Sequence, residues 1–154
     1  MQPRSNAPAY LLHSREFLAA AELVLNHANG VSLPAYFLLA RSIELSLKTY
    51  LLISGRELRT LASKKVGHNL DVLHALAMAS NLDAYAPLTA AEAGALRLLS
   101  SEYSATRLGY RVAGATYHLP MIEVTEDIAR RLVATLEGFP TADGEILLPP
   151  TENV

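Results

Sequence analysis

No cysteine occurs among the 154 residues, which excludes disulfides, thiolate zinc sites and cysteine nucleophiles. No uninterrupted apolar run reaches the roughly eighteen residues that crossing a bilayer takes. The opening MQPRSNAPA lacks the apolar segment of a signal peptide. The P-loop and GxGxxG patterns are missing, and His13, His27, His68, His74 and His118 fall at no metal-ligand spacing such as HExxH. No internal repeat is present. These absences predict a cytoplasmic protein with no membrane segment, no metal and no cofactor. The formal net charge is −2, which argues against strong non-specific binding to nucleic acid, since that rests on neutralising phosphates. A local basic site remains open, because the charge is polarised along the chain. Arg56, Arg59, Lys64 and Lys65 stand against Glu57 alone, whereas the tail after Pro140 carries Asp143, Glu145 and Glu152 and no basic side chain.

What is present is apolar surface in helical rhythm. With 51% of its residues apolar, the chain is long enough to bury a core as one domain over 1–154, with the core at about 9–139 and a tail at 140–154. Leu11, Leu18 and Leu25 recur at helical spacing over about 9–28, where Asn29-Gly30 ends the helix. Ser32 caps a second helix that starts near Pro34 and runs to about Ser54, with Gly55 as the residue just past its end. Residues 56–63 suit a short helical turn, and a third helix starts near Asn69 and ends near Asn81. Thr89 and Glu92 form a capping box for a fourth helix, to about Ser104. Residues 105–120 break the pattern, as an extended loop or a small hairpin around Ala113-Gly114. Thr125 caps a last helix, at 126–137, whose first turn carries Glu126 and Asp127. Ile146-Leu147-Leu148 reads as a short strand packed back on the body. The predicted fold is all-α: an up-and-down four-helix bundle with an extra short helix and an irregular or hairpin segment before the last helix.

The second helix is unusually apolar, yet Arg41, Glu44 and Lys48 lie within about 60° of one another on it, at 100° per residue. Ser42, Ser46 and Thr49 form a separate small polar arc. In one reading Glu44 and Lys48 are an ordinary surface pair worth a few tenths of a kcal/mol, and the small residues merely allow close packing. In the other, the charged stripe faces a cleft with His68, and its charges are paired or hold an anion. Gly67-His68-Asn69 opens a helix whose free N–H groups, with Lys64 and Lys65, suit a phosphate. The spacing alone favours the simpler alternative, in which Asn69 caps that helix and His68 packs over the connector. Tyr36, Tyr50, Tyr85, Tyr103, Tyr110 and Tyr117 are scattered. Such tyrosines are more often core residues with satisfied hydroxyls than platforms for a base.

The pattern Glu44-x-x-x-Lys48 on an apolar helix, then Gly55, then Gly67-His68-Asn69-Leu70-x-x-Leu73, resembles the HEPN domain family of four- or five-helix bundles. Tyr103, Arg107 and Tyr110-Arg111 are similar to the aromatic–arginine segment that follows the fourth helix in several of its branches. The resemblance covers about 9–139. It implies a bundle that commonly dimerises, in a family of metal-independent ribonucleases, toxins paired with minimal nucleotidyltransferases, and non-catalytic modules. Catalytic members use an arginine followed four to six residues later by a histidine. The late match here is Arg111-x₆-His118, which departs from that pattern in having Val112 after the arginine and Gly114 inside the segment.

Three functional expectations follow. The first is a homodimeric HEPN-like module without catalysis. It would bind a nucleotide, RNA or a partner protein through Arg41, Glu44, Lys48, Lys64, Lys65 and His68, joined by Arg107 and Arg111 from the 105–120 segment. The second is a metal-independent endoribonuclease, with His118 as general acid–base and Arg111 stabilising the phosphorane. The third is a structural adaptor or antitoxin-type bundle, with the serine–threonine arc as its close-packing face.

Overall fold

A computed structural model describes residues 6–141 and 143–149; Glu152 and Pro150 of the tail and residues 1–5 of the opening segment lie outside the described residues. The fold is an all-α bundle. Its elements in chain order are α1 (Ala7–His27), α2 (Leu33–Ile53), the one-turn α3 (Leu58–Leu61), α4 (Leu70–Ala79), a 3-10 turn (Leu82–Ala84), α5 (Ala90–Ser104) and α6 (Ile122–Leu136). Among the described residues no helix is long and apolar enough to cross a membrane.

α2 is the axis of the molecule. Every residue from Ser42 to Leu52 is buried, as expected of a helix that is apolar on nearly all sides. α1, α4, α5 and α6 all pack directly on it. Ser32 starts it by accepting a hydrogen bond from the Ala35 N–H at 3.2 Å. At its far end the Arg56 N–H reaches the Leu51 carbonyl at 2.9 Å and the Gly55 N–H reaches Leu52 at 3.1 Å. That crossed pair is a Schellman motif, and it holds Gly55 at φ +93°, in left-handed territory.

α1 lies against α2 through three fully buried serines. Ser14 donates to the Ser42 carbonyl at 2.7 Å, and Ser42 donates back to the Ser14 carbonyl at 3.0 Å. The Ser46 hydroxyl lies 2.7 Å from that of Ser14. One proton per hydroxyl satisfies the whole set if Ser46 donates to Ser14. The small arc of α2 is therefore covered from within the chain. The remaining member, Thr49, returns its hydroxyl to the Leu45 carbonyl at 2.7 Å.

The helix boundaries at α1, α2, α4 and α5 match the sequence pattern closely, and the Thr89–Glu92 capping box is present with both bonds at 3.1 Å. α6 departs from it. The helix begins at Ile122, and Thr125 lies inside its first turn with its hydroxyl on the Met121 carbonyl at 3.0 Å. Ile122 and Val124 pack against the core, and Tyr36 holds the preceding Pro120 carbonyl at 2.5 Å, so tertiary contact starts the helix ahead of the capping signal.

Residues 105–120 form a loop rather than a hairpin. Side chains hold it where strand pairing would have. The buried Glu102 at the end of α5 accepts from the His118 N–H at 3.2 Å and ion-pairs with Arg107 at 3.2 Å. Arg107 also donates to the Thr116 carbonyl at 2.6 Å and lies over the Tyr117 ring. The tail does return to the body. Pro140 and Ile146 make a single antiparallel bridge, Leu147 is buried, and the Gly138 N–H reaches the Leu148 carbonyl at 2.6 Å.

Gly55→Ala places a Cβ on a left-handed backbone. We expect it to lower the unfolding free energy by about 1–2 kcal/mol, read as a lower urea midpoint with an unchanged slope.

Candidate anion-binding site

The site is built around one carboxylate. Glu44, on the buried α2, has a side chain only 1% exposed. Four donors converge on it. Oε2 accepts from Arg41 at 3.0 Å and from Lys48 at 3.2 Å, one helical turn to either side. Oε1 accepts from the Tyr103 hydroxyl of α5 at 2.7 Å, and the His68 Nδ1 lies 2.6 Å from it. A carboxylate only accepts, so Nδ1 carries the proton. About four acceptor positions is the capacity of a carboxylate, and all four are used.

Burial alone would raise the Glu44 pKa. The hydrogen bond from His68, the Lys48 ammonium, the Tyr103 hydroxyl and the Arg41 guanidinium together outweigh it and hold the group below the ordinary 4.5. Burial and then the Glu44 charge push the Tyr103 hydroxyl up, so it stays protonated and keeps donating. The arrangement therefore carries a fixed negative charge at its centre and more positive charge around it.

His68 reaches Glu44 because of the connector. Leu61 and Val66 are buried and seat the segment on the body. The Ser63 carbonyl takes the Gly67 N–H at 2.8 Å, so close that a Cβ on Gly67 would stand 3.0 Å from that oxygen. Asn69 then caps α4, accepting from the Val72 N–H at 3.1 Å, while Ser100 of α5 accepts from the Asp71 N–H at 3.2 Å. The Asp71 and Val72 N–H groups at the start of α4 are thus bonded within the chain. His68 is not packed over the connector; it bridges the connector to α2 while its side chain remains 60% exposed.

Arg41, Glu44, Lys48 and His68 line one cleft of about 480 Å³, whose opposite wall is Tyr10 and His13 of α1. The other expected ligands are placed differently. Lys64 and Lys65 are exposed on the connector and do not line this cleft. Arg107 is committed to Glu102 and the loop. Arg111 lines a separate cleft with Val31, Leu33 and Val112, and His118, exposed nearby in sequence, is not part of that lining. So the basic groups converge in part: the three that are tied to Glu44 come together, and those of the 105–120 segment and the two lysines do not. Among the described residues no group of three or more histidine, aspartate or glutamate side chains is placed to share a metal ion.

Two contributions escape the sequence reading. Tyr103 donates to Glu44 from a helix 59 residues away, and only the resemblance had singled it out. Tyr10 and His13 supply the α1 wall. Their signal was the spacing of Tyr10, His13 and Phe17 on one face of α1, which continues to Arg41 through a guanidinium placed 5.9 Å from the Phe17 ring centroid.

No protein-family model matches the chain, and neither a curated protein nor a solved structure matches it at a significant level.

Two substitutions test the carboxylate. Tyr103→Phe removes one donor to a buried charge, and we expect a loss of about 1.5–3 kcal/mol in unfolding free energy. Glu44→Gln leaves Arg41 and Lys48 without their counter-charge, with an expected loss of about 3–5 kcal/mol. Because the folded pKa of Glu44 is depressed, the unfolded chain binds its proton first on acidification. Its stabilisation is complete above the ordinary value of 4.5 and is lost as pH falls through the lower folded value. Urea unfolding across that range should show a steeper acid decline in the wild type than in Glu44→Gln.

Proposed function

We propose that the chain is a HEPN-like helical module that binds a phosphate-bearing ligand, a nucleotide or a nucleotide within RNA, without performing chemistry on it. The observation that supports this is the convergence of Arg41, Lys48 and His68 on one cleft, each held by the same saturated carboxylate. Glu44 neutralises one of two permanent cations, so the cleft keeps net positive charge. Donors fixed in advance by packing lose little freedom on capturing an anion. Arg41 and Lys48 each carry more N–H groups than the one bonded to Glu44, and a phosphate would take those.

The same geometry favours binding over catalysis at this cleft, since Glu44 has no free lone pair with which to take a proton. The ribonuclease reading rests on Arg111 and His118 sharing a cleft, and Arg111 lines a cleft of which His118 is not a wall. The adaptor reading looks for a large apolar helix face in a dimer contact, with the serine–threonine arc as the close-packing face, and for no converging charges. Here Ser14 covers Ser42 and Ser46, and the charges converge. A homodimer, and for a toxin-type pair a nucleotidyltransferase partner, belong to the same proposal by family resemblance.

Calorimetric titration of the intact chain with pyrophosphate is the test. The wild type should bind with an affinity that falls as salt is raised. Arg41→Gln should weaken binding about tenfold or more, the scale of one charge-assisted hydrogen bond. Lys64→Ala/Lys65→Ala should leave it unchanged. Equal losses in the two variants would place the anion elsewhere, and no binding by the wild type would end the proposal.

A further inference from the structure

Arg41 and His68 have a second side. Both also line a neighbouring cleft of about 330 Å³, completed by Phe37, Tyr103, Gly109 and Tyr110. The two clefts thus share a ridge made of Arg41 and His68 and differ in everything else. One adds Lys48 and the edge of Glu44; the other adds rings. Phe37 and Tyr103 have centroids 6.0 Å apart, and His68 meets Tyr103 edge-on at 5.8 Å, so the aromatic wall runs without a break into the ridge.

Two details suggest that this wall receives a planar group. The core tyrosines spend their hydroxyls inside the protein: Tyr36 on the Pro120 carbonyl, Tyr50 on Ser80, Tyr103 on Glu44. Tyr110 instead is 76% exposed at the rim of the cleft. Gly109 beside it is not in a left-handed conformation, and a Cβ there would meet the Phe37 ring only at 3.8 Å, an ordinary contact. The backbone therefore does not require this glycine. What it provides is open space against Phe37.

Building on the anion reading above, we propose that the two clefts form a single nucleotide site, with the base between Phe37 and Tyr110 and the phosphate on Arg41, Lys48 and His68. A base needs a flat apolar partner, and a phosphate needs cations. Few other small anions need both at the two sides of one ridge. Arg41 suits the junction, because a guanidinium presents both donors at its edge and a face for stacking. Apart from Arg41 and His68, no charged side chain lines the base side, so contact there is by stacking, which tolerates any base.

The test is calorimetric titration of the intact chain with inorganic phosphate, ribose 5-phosphate and AMP. AMP should bind about tenfold or more tightly than ribose 5-phosphate, the scale of one stacked base. Tyr110→Ala and Gly109→Leu, which empty and fill the base side respectively, should each bring AMP down to the ribose 5-phosphate level and leave ribose 5-phosphate itself unchanged. Both lie on exposed loop positions, and circular dichroism of each variant is the check that the bundle is intact. Equal affinity for AMP and ribose 5-phosphate in the wild type overturns the base site while leaving the phosphate cleft standing. Failure of every phosphate compound to bind overturns both. A short adenylate strand distinguishes the sources of the ligand. An affinity equal to that of AMP assigns a free nucleotide, and a gain of tenfold or more assigns a nucleotide within RNA.

Discussion

A single buried carboxylate sets the geometry of this protein. Placing an ionised glutamate in the middle of the most buried helix costs several kcal/mol in lost hydration. That cost is offset only if every acceptor position is filled. Glu44 meets the condition by drawing one donor from α5, one from the junction before α4 and two from its own helix. The requirement therefore fixes two other parts of the chain, α5 and the junction before α4, relative to α2. It also explains why cationic side chains occur on an apolar helix: Arg41 and Lys48 are the counter-charges of a buried carboxylate.

The end of α5 repeats the device on a smaller scale. Glu102 is likewise buried, and it collects the Arg107 guanidinium and the His118 N–H. The first carboxylate organises the cleft and the second organises the loop beside it. Tyr103 stands between them, next to Glu102 in sequence and bonded to Glu44 in space. The aromatic cleft lies where these two centres meet. Its floor is set by Glu44 through Tyr103, and its rim by Glu102 through the loop that carries Gly109 and Tyr110.

The bundle was legible in the sequence because its signals are local. Ser32, Gly55, Asn69 and the Thr89–Glu92 box each act within a few residues, and each does in the structure what its type and position imply. Thr125 misled because a stronger non-local force, the packing of Ile122 and Val124, begins α6 a turn early. The site was half legible for the same reason. Arg41, Glu44 and Lys48 share a face by helical arithmetic, and His68 joined them through the glycine–histidine–asparagine pattern. That Tyr103 completes the set, and that Arg107 turns away toward Glu102, depends on how α5 lies across α2, which no spacing records. The lysines of the connector looked like ligands because they are charged and near His68 in sequence. The chain turns there, and Val66 rather than Lys64 or Lys65 faces inward.

The serines between α1 and α2 set the register of the two helices. Ser14 and Ser42 each give a proton to the other's carbonyl, and Ser46 leans on Ser14. Sliding α1 by one turn would strand these hydroxyls in a dry interior, so the pair of helices has one register. Tyr10 and His13 ride on α1, one turn or less from Ser14. The gap between them and Lys48 is accordingly a fixed gauge. The other walls are a connector and a loop, and a buried carboxylate anchors each: His68 on Glu44 and Arg107 on Glu102. Three small hydroxyls thus hold the α1 side of the cleft at one distance from α2.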